Sequence, residues 1–213
     1  VDVVQLQTRS RREGARDLPV LVWRLPAPMR VVASAPHGGG LGTRRWVLNA
    51  QVPASYARRD PEFHLAKLGV SLGLAGRGVG MLTAADVRRY ATAADDGVEA
   101  LATVGLGHPV QAAAPDDGRP VDLVGTINLV AFLPERLSDA ALVNAVATAA
   151  EAKVQAVREL GLDATGTATD ALCLVCPEQG RAHSFGGPRS LWGSRLARAV
   201  RRAVVDGAGT ATR

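Results

Sequence analysis

The sequence predicts an α/β fold of the α+β kind, in which a mixed β-sheet is layered with helices. Three observations predict it. The first half holds short runs rich in Val, Leu and Trp cut by Gly and Pro, as in VLVWRL and RWVLNAQV. Two stretches, residues 139–160 and 191–205, carry apolar residues at helical spacing. The second half also repeats one pattern. Gly125-Thr126 opens a strand ending at Pro134-Glu135 before a helix with LVNAV, and Gly166-Thr167 opens a strand ending at Pro177-Glu178 before a helix with LARAV. Two strand–helix units of one pattern suggest helices laid on one sheet. At 213 residues, 47% of them hydrophobic, the chain reads as a single domain with residues 1–18 and 207–213 as flexible ends.

Taken in order, residues 20–25 and 29–35 read as two strands, with Pro26 and Pro28 marking the turn between them. PHGGGLG follows as a flexible Gly-rich loop, and residues 45–52 as a strand. A helix is expected at 61–74, because Asp60 is a good N-cap and Pro61 suits the first helical position. After GRGVG and the apolar run MLTAAD the pattern looks helical to about Ala94. Asp95-Asp96-Gly97 is a turn, and 98–105 alternates as a strand. PDDGRP (115–120) is a surface loop. GTINLVAFLP is a strand that leads through Ser138, an N-cap candidate, into a helix from Asp139 to Leu160 closed by Gly161. GTATDALCLVCP is a further strand, and a last helix from Leu191 to Val205 closes at Gly207.

Composition narrows the function classes. The formal net charge is +5, yet the basic residues are spread in pairs such as Arg44-Arg45 and Arg201-Arg202, and aromatics are 4%. Nucleic-acid binders gather their charge on one face and interleave aromatics, so no nucleic-acid partner is expected. No run approaches the roughly 20 apolar residues of a membrane-spanning helix, so no membrane association is expected. VDVVQLQTRSRREGARD has no apolar core behind a basic start, so no secretory leader is read. Two closely spaced cysteines give no disulfide framework, which fits a reducing cytoplasm. Lysine stands only at Lys67 and Lys153, and asparagine only at Asn49, Asn128 and Asn144. A chain this rich in Ala, Gly, Arg and Val reads as the product of a GC-rich genome, and residues kept against that drift point to chemical tasks.

Several segments carry a likeness. They are GGGLGTRRWVLNAQV (38–52), GVGMLTAADV (78–87), GTINLV (125–130), residues 141–177 with VNAV, EAK and GTATD, and GGPRSLWGSRLARAV (186–200). Together they resemble the adenosylcobinamide amidohydrolase family over nearly the whole chain after residue 28. The resemblance implies hydrolysis of the amide joining the corrin acid to its aminopropanol arm, giving adenosylcobyric acid for coenzyme B12 salvage. The corrinoid is then the substrate, and no cofactor is expected. No D-x-H-x-x-G pattern is present, so no histidine bond to cobalt is expected either. A homo-oligomer is compatible with the chain.

Amide hydrolysis needs an activated water or nucleophile, donors for the oxyanion and an acid for the leaving amine. Asp170, in GTATD at the edge of an apolar strand, is the first candidate for the base, against the alternative of a loop cap. Asn128 holds the equivalent place in the other repeat and suits donation to a carbonyl oxygen, against a strand-end hydrogen bond. Lys153 shares a helix face with Leu142, Val146, Ala149, Val157 and Leu160, so it interrupts an apolar stripe and needs a carboxylate there. Glu151 lies about 200° away at the helical period, so both cannot enter one site; Lys153 is favoured and Glu151 kept as the reserve carboxylate. Candidate substrate contacts are Asn49, Asp86, Thr126, Asn144, Thr167 and Arg189, with Gly39 and Gly40 in a mobile substrate loop.

Two other readings stand beside the amidohydrolase. One is a non-catalytic corrinoid-binding protein whose Asp and Asn residues grip side-chain amides. The other is a serine esterase using Ser71, with HGGG as its oxyanion loop and Asp170 and His183 following in order, but PEFHLAKL before Ser71 reads as helix where a nucleophile elbow needs a strand. Cys173 and Cys176 point to opposite faces of a strand and read as core, so no metal site is expected. Gly186-Gly187-Pro188-Arg189 is either a phosphate-facing loop or a tight connection.

Overall fold

The computed structural model describes residues 4–115 and 125–211. An eight-stranded mixed sheet runs β4 (Gly78–Thr83), β3 (Gly40–Gln51), β2 (Arg16–Ala33), β10 (Ala171–Pro177), β8 (Thr126–Phe132), β6 (Val98–Gly105), β5 (Tyr90–Asp95). β1 (Gln5–Glu13) pairs beside it with the first half of β2. A small ribbon joins β7 (Pro109–Val110) to β9 (Gly166–Thr167). α1 (Pro61–Ser71) flanks β3 and β4, while α2 (Asp139–Glu159) and α3 (Leu191–Ala211) cover one face of the other strands. The α+β architecture and the paired strand–helix units are both present, since β8 and β10 are parallel neighbours and each leads into a helix. Of the loop expected at 115–120, residues 116–120 lie outside the described residues.

Alternation sorts the strands into two faces. Ile127, Leu129, Ala131 and Leu174 face α2 and α3, against alanines of α2 such as Ala145, Ala149 and Ala152. These small side chains let the helix lie close to both the sheet and α3. The opposite face carries Leu21, Val47, Met81, Leu101, Val130 and Cys173, packed together as the sheet curls. The tip of the β2–β3 hairpin folds back so that His37 forms an antiparallel bridge to Gly80 of β4.

Several local expectations are corrected. The two strands expected at 20–25 and 29–35 are one strand, β2, whose pairing with β3 shifts register between Arg24 and Met29. Pro26 and Pro28 sit in that irregularity, exposed, where no amide donor is required. Residues 5–13, read as part of a loose end, form β1. The helical pattern after MLTAAD is instead a loop and strand β5. Asp60 makes no side-chain cap to α1, because its carboxylate is held by Arg58 at 2.8 Å. α3 continues through Gly207 to Ala211, and Gly207 packs against Val104 of β6 where a side chain would collide. Ser138 caps α2, its hydroxyl accepting from the Ala141 amide at 3.2 Å, and Gly161 follows the helix at φ +79°.

Candidate active site

At one end of the sheet, GTATD folds as the two residues of β9, a turn, and Asp170 immediately before β10. Asp170 closes this turn on itself. Its Oδ1 accepts from the Ile127 amide at 2.8 Å and from the Thr167 hydroxyl at 2.5 Å. Its Oδ2 accepts from Lys153 Nζ at 2.5 Å and from the Thr167 amide at 3.1 Å. The Lys153 and Asp170 side chains retain 16% and 13% of their exposure, so the pair is largely withdrawn from solvent. Lys153 thus meets its carboxylate from the α2 stripe. Gly166 lies against the pair so closely that a Cβ there would land on both partners. Two backbone amides and Lys153 Nζ donate to the Asp170 carboxylate. The Thr167 hydroxyl, whose one proton also has the Gly125 carbonyl within reach at 2.7 Å, closes it further. Little capacity is left to take a proton from water. The geometry makes it a brace between β8, β10 and α2.

Next to this brace, Thr126 and Thr169 share a hydrogen bond of 2.7 Å, and Thr169 donates to the Gly125 carbonyl at 3.0 Å. Both threonines line a cleft of about 270 Å³ where the ends of β3, β4, β8 and β10 meet. Thr83, Leu82, Ala171 and Tyr56 complete much of its wall. Beneath lies a fully buried chain of polar groups. Asn128 Nδ2 donates to the Leu82 carbonyl at 2.9 Å and to Asn49 Oδ1 at 2.8 Å, and Asn49 Nδ2 donates to Thr103 Oγ1 at 2.9 Å. The Leu82 carbonyl fixes which end of the Asn128 amide carries nitrogen. Both Asn128 N–H groups are therefore used, which corrects its expected role as a donor to the substrate carbonyl. Its Oδ1 is buried without a protein partner, so what it has left to offer is an acceptor.

The remaining candidates fall elsewhere. Glu151 is exposed on the outer face of α2, beside Gln155 and Arg158, and does not join Lys153. Asn144 is exposed about 13 Å along α2 from Lys153, at the helical rise, next to Gly187. Arg189 is exposed in the same tight connection, whose Gly186 carbonyl accepts from Thr148 at 2.9 Å. Asp86 forms a surface pair with Arg88 at 2.8 Å. Gly39 and Gly40 belong to a hairpin tip that is tied down, since Arg44 donates to the Gly38 carbonyl at 2.7 Å and 3.0 Å and to the Gly39 carbonyl at 3.3 Å. That corrects the expected mobile loop. Ser71 ends α1 and donates back to the Leu68 carbonyl at 2.8 Å, which removes the elbow geometry an esterase needs. Burial pushes the Cys173 thiol up to about 12 and raises Cys176 as well, so neither is a ready thiolate.

Sequence reasoning missed Thr169, Thr83, Thr103 and Tyr56. Thr103 had a usable signal, as an inward-pointing polar residue in an apolar strand, and Thr169 stood next to Asp170 in the motif. Tyr56, in a loop between β3 and α1, had none.

The family model described as adenosylcobinamide amidohydrolase matches residues 4–213. An adenosylcobinamide amidohydrolase of Methanosarcina mazei is 28% identical over 178 residues, covering 79% of this chain and 85% of that protein. One of Halobacterium salinarum is 37% identical over 112 residues, covering 50% of this chain and 48% of that protein. Among solved structures, the PH0078 protein of Pyrococcus horikoshii shares the fold, with a TM-score of 0.53 at 11% identity over 96% of this chain and 83% of that one.

Proposed function

The chain belongs to the adenosylcobinamide amidohydrolase family, and from that premise we propose that the Thr126–Thr169 cleft is where it hydrolyses the amide between the corrin acid and the aminopropanol arm. The products are adenosylcobyric acid and the free amino alcohol. The observation that carries the reading is the convergence of two motif segments, GTINLV and GTATD, on one cleft through Thr126 and Thr169. At about 270 Å³ the cleft falls below the few hundred to a thousand cubic ångströms that enclose a whole small-molecule ligand. It suits the arm with its amide, and the corrin ring then rests outside.

In this reading Asp170, Lys153 and Thr167 are positioning residues. They fix the turn that presents Thr169 and the strand start that presents Thr126. The threonine hydroxyls contact the arm or the attacking water, and Asn49, Asn128 and Thr103 hold the floor. The same reading has hydrolysis proceed without a resident metal, supported by the finding that no three His, Cys, Asp or Glu side chains gather as a ligand set among the described residues. No described helix is long and apolar enough to cross a membrane. A cytoplasmic setting suits the two free, buried cysteines.

The test is to incubate purified protein with adenosylcobinamide and follow release of adenosylcobyric acid by chromatography and mass. Release is expected, and it should survive exhaustive chelation. Tight binding of the corrinoid with no release would show a binding protein on a hydrolase fold.

A further inference from the structure

Hydrolysis in the cleft needs a group that takes a proton from water and returns it to the leaving amine. Of the described residues lining the cleft, Tyr56 alone has a titratable side chain, because the threonines do not ionise and the Asp170 carboxylate is engaged behind the wall. Tyr56 is not isolated. Its hydroxyl lies 2.9 Å from His64 Nδ1 on α1, and the two rings stack with centroids 5.6 Å apart. On the far side of the imidazole, Nε2 stands 3.8 Å from the Glu13 carboxylate of β1. Glu13 in turn is held by Arg11 at 2.5 Å, and Arg11 also donates to the Gln51 carbonyl at 2.9 Å, at the end of β3 beside the cleft. A β1 residue, a loop residue and a helix residue thus meet in one series of contacts that ends on the cleft wall.

We propose that Tyr56, His64 and Glu13 form the proton relay of the hydrolysis, with Tyr56 as the catalytic residue and His64 and Glu13 as positioning residues behind it. The inference rests on the amidohydrolase reading of the cleft. In the tautomer with its proton on Nε2, facing the carboxylate 3.8 Å away, the imidazole has Nδ1 free to accept from the Tyr56 hydroxyl. As water attacks the amide carbon, a C–O bond forms. The water proton passes to Tyr56 Oη while the tyrosine proton moves to His64 Nδ1. The imidazolium faces Glu13, whose charge stabilises it. When the C–N bond breaks, the proton returns through Tyr56 to the departing nitrogen. Amide and water become acid and amine, and the protein ends as it began.

The surroundings fit a relay that starts with neutral histidine. Burial is the main influence on His64 and lowers it from its usual range, with Glu13 and Asp60 opposing and Arg58 and Arg11 reinforcing that shift. Burial likewise raises Tyr56, so the phenol stays protonated. Activity is then present at neutral pH and falls in acid as His64 takes up a proton and can no longer accept one.

The test measures kcat and KM across pH for wild type, Tyr56→Phe, His64→Gln and Glu13→Gln with adenosylcobinamide, and checks melting temperature for each. Tyr56→Phe keeps the ring on the cleft wall and removes the proton, so kcat should fall about a hundredfold or more with KM moved less than about threefold. His64→Gln should abolish the acid limb, which a packing role would not do. Tyr56→Phe within about threefold of wild-type kcat, or an unchanged acid limb in His64→Gln, overturns the relay while leaving the hydrolase reading intact. Should Tyr56→Phe fail to fold, Glu13→Gln decides: losing the carboxylate that raises His64 should move the acid limb to lower pH, and an unmoved limb overturns the relay. A wild type that releases no adenosylcobyric acid overturns both.

Discussion

Asp170 is where sequence and structure differ most usefully. Its importance was legible, because a carboxylate after three small residues at a strand edge has work to do, and so was its partner, because a lysine on an apolar helix stripe must find a carboxylate. Which work it does was not legible, since that depends on the Ile127 amide arriving from another strand at 2.8 Å. Asp170→Asn turns one acceptor into a donor facing Lys153 or a backbone amide, and breaking such a buried pair costs about 3–5 kcal/mol. Thermal melting should therefore fall together with turnover. Lys153→Met should also lower the melting temperature, in spite of continuing the apolar stripe, because it leaves the carboxylate short of its cation. A double-mutant cycle over Lys153→Met and Asp170→Asn should show clear coupling by denaturant unfolding. Full stability with lost turnover in Asp170→Asn would instead restore the carboxylate as the base.

At the scale of elements, the long amphipathic pieces were readable and the composite ones were not. α2 runs as its pattern and cap dictate, from Ser138 to just before Gly161. Ser138→Ala removes that cap and should cost about 1 kcal/mol, read as a lower denaturation midpoint without loss of turnover, since Ser138 sits at the opposite end of α2 from Lys153. β5 was misread because Ala91, Ala93 and Ala94 favour helix, a preference of a few tenths of a kcal/mol that pairing with β6 overrides. β2 was split at its prolines, because nothing local reveals that a bulge will absorb them. The arginines of α3 have partners that the sequence does not name. Arg198 and Arg202 both pair with Asp95, and Arg201 pairs with Glu159. Much of the charge on that helix is met within the fold.

Across the whole molecule, the curl of the sheet makes the site, by bringing Pro36 of the hairpin tip, Thr83 of β4 and Thr169 before β10 around one cleft. Such closure depends on register and on contacts far apart in sequence, so the motifs announced the residues but not the volume they enclose. Two histidines on the α1 side of the sheet are half-buried. His37, stacked on Trp46 with centroids 5.7 Å apart, is lowered from 6.5 chiefly by burial, as is His64. A histidine lowered in the folded state contributes stability that is complete above the unfolded value and is lost as pH falls through the folded one. Melting temperature should therefore drop below pH 6.5, and His37→Phe, which keeps the stack, should reduce that drop. The central claim is that the cleft between the strand ends is where the amide is cut, and one comparison tests it most directly. Adenosylcobyric acid release is measured for wild type and for Ala84→Trp, whose indole fills the cleft from its rim. Rapid release by wild type and none by a folded Ala84→Trp is the predicted result; equal release by both would place the chemistry elsewhere.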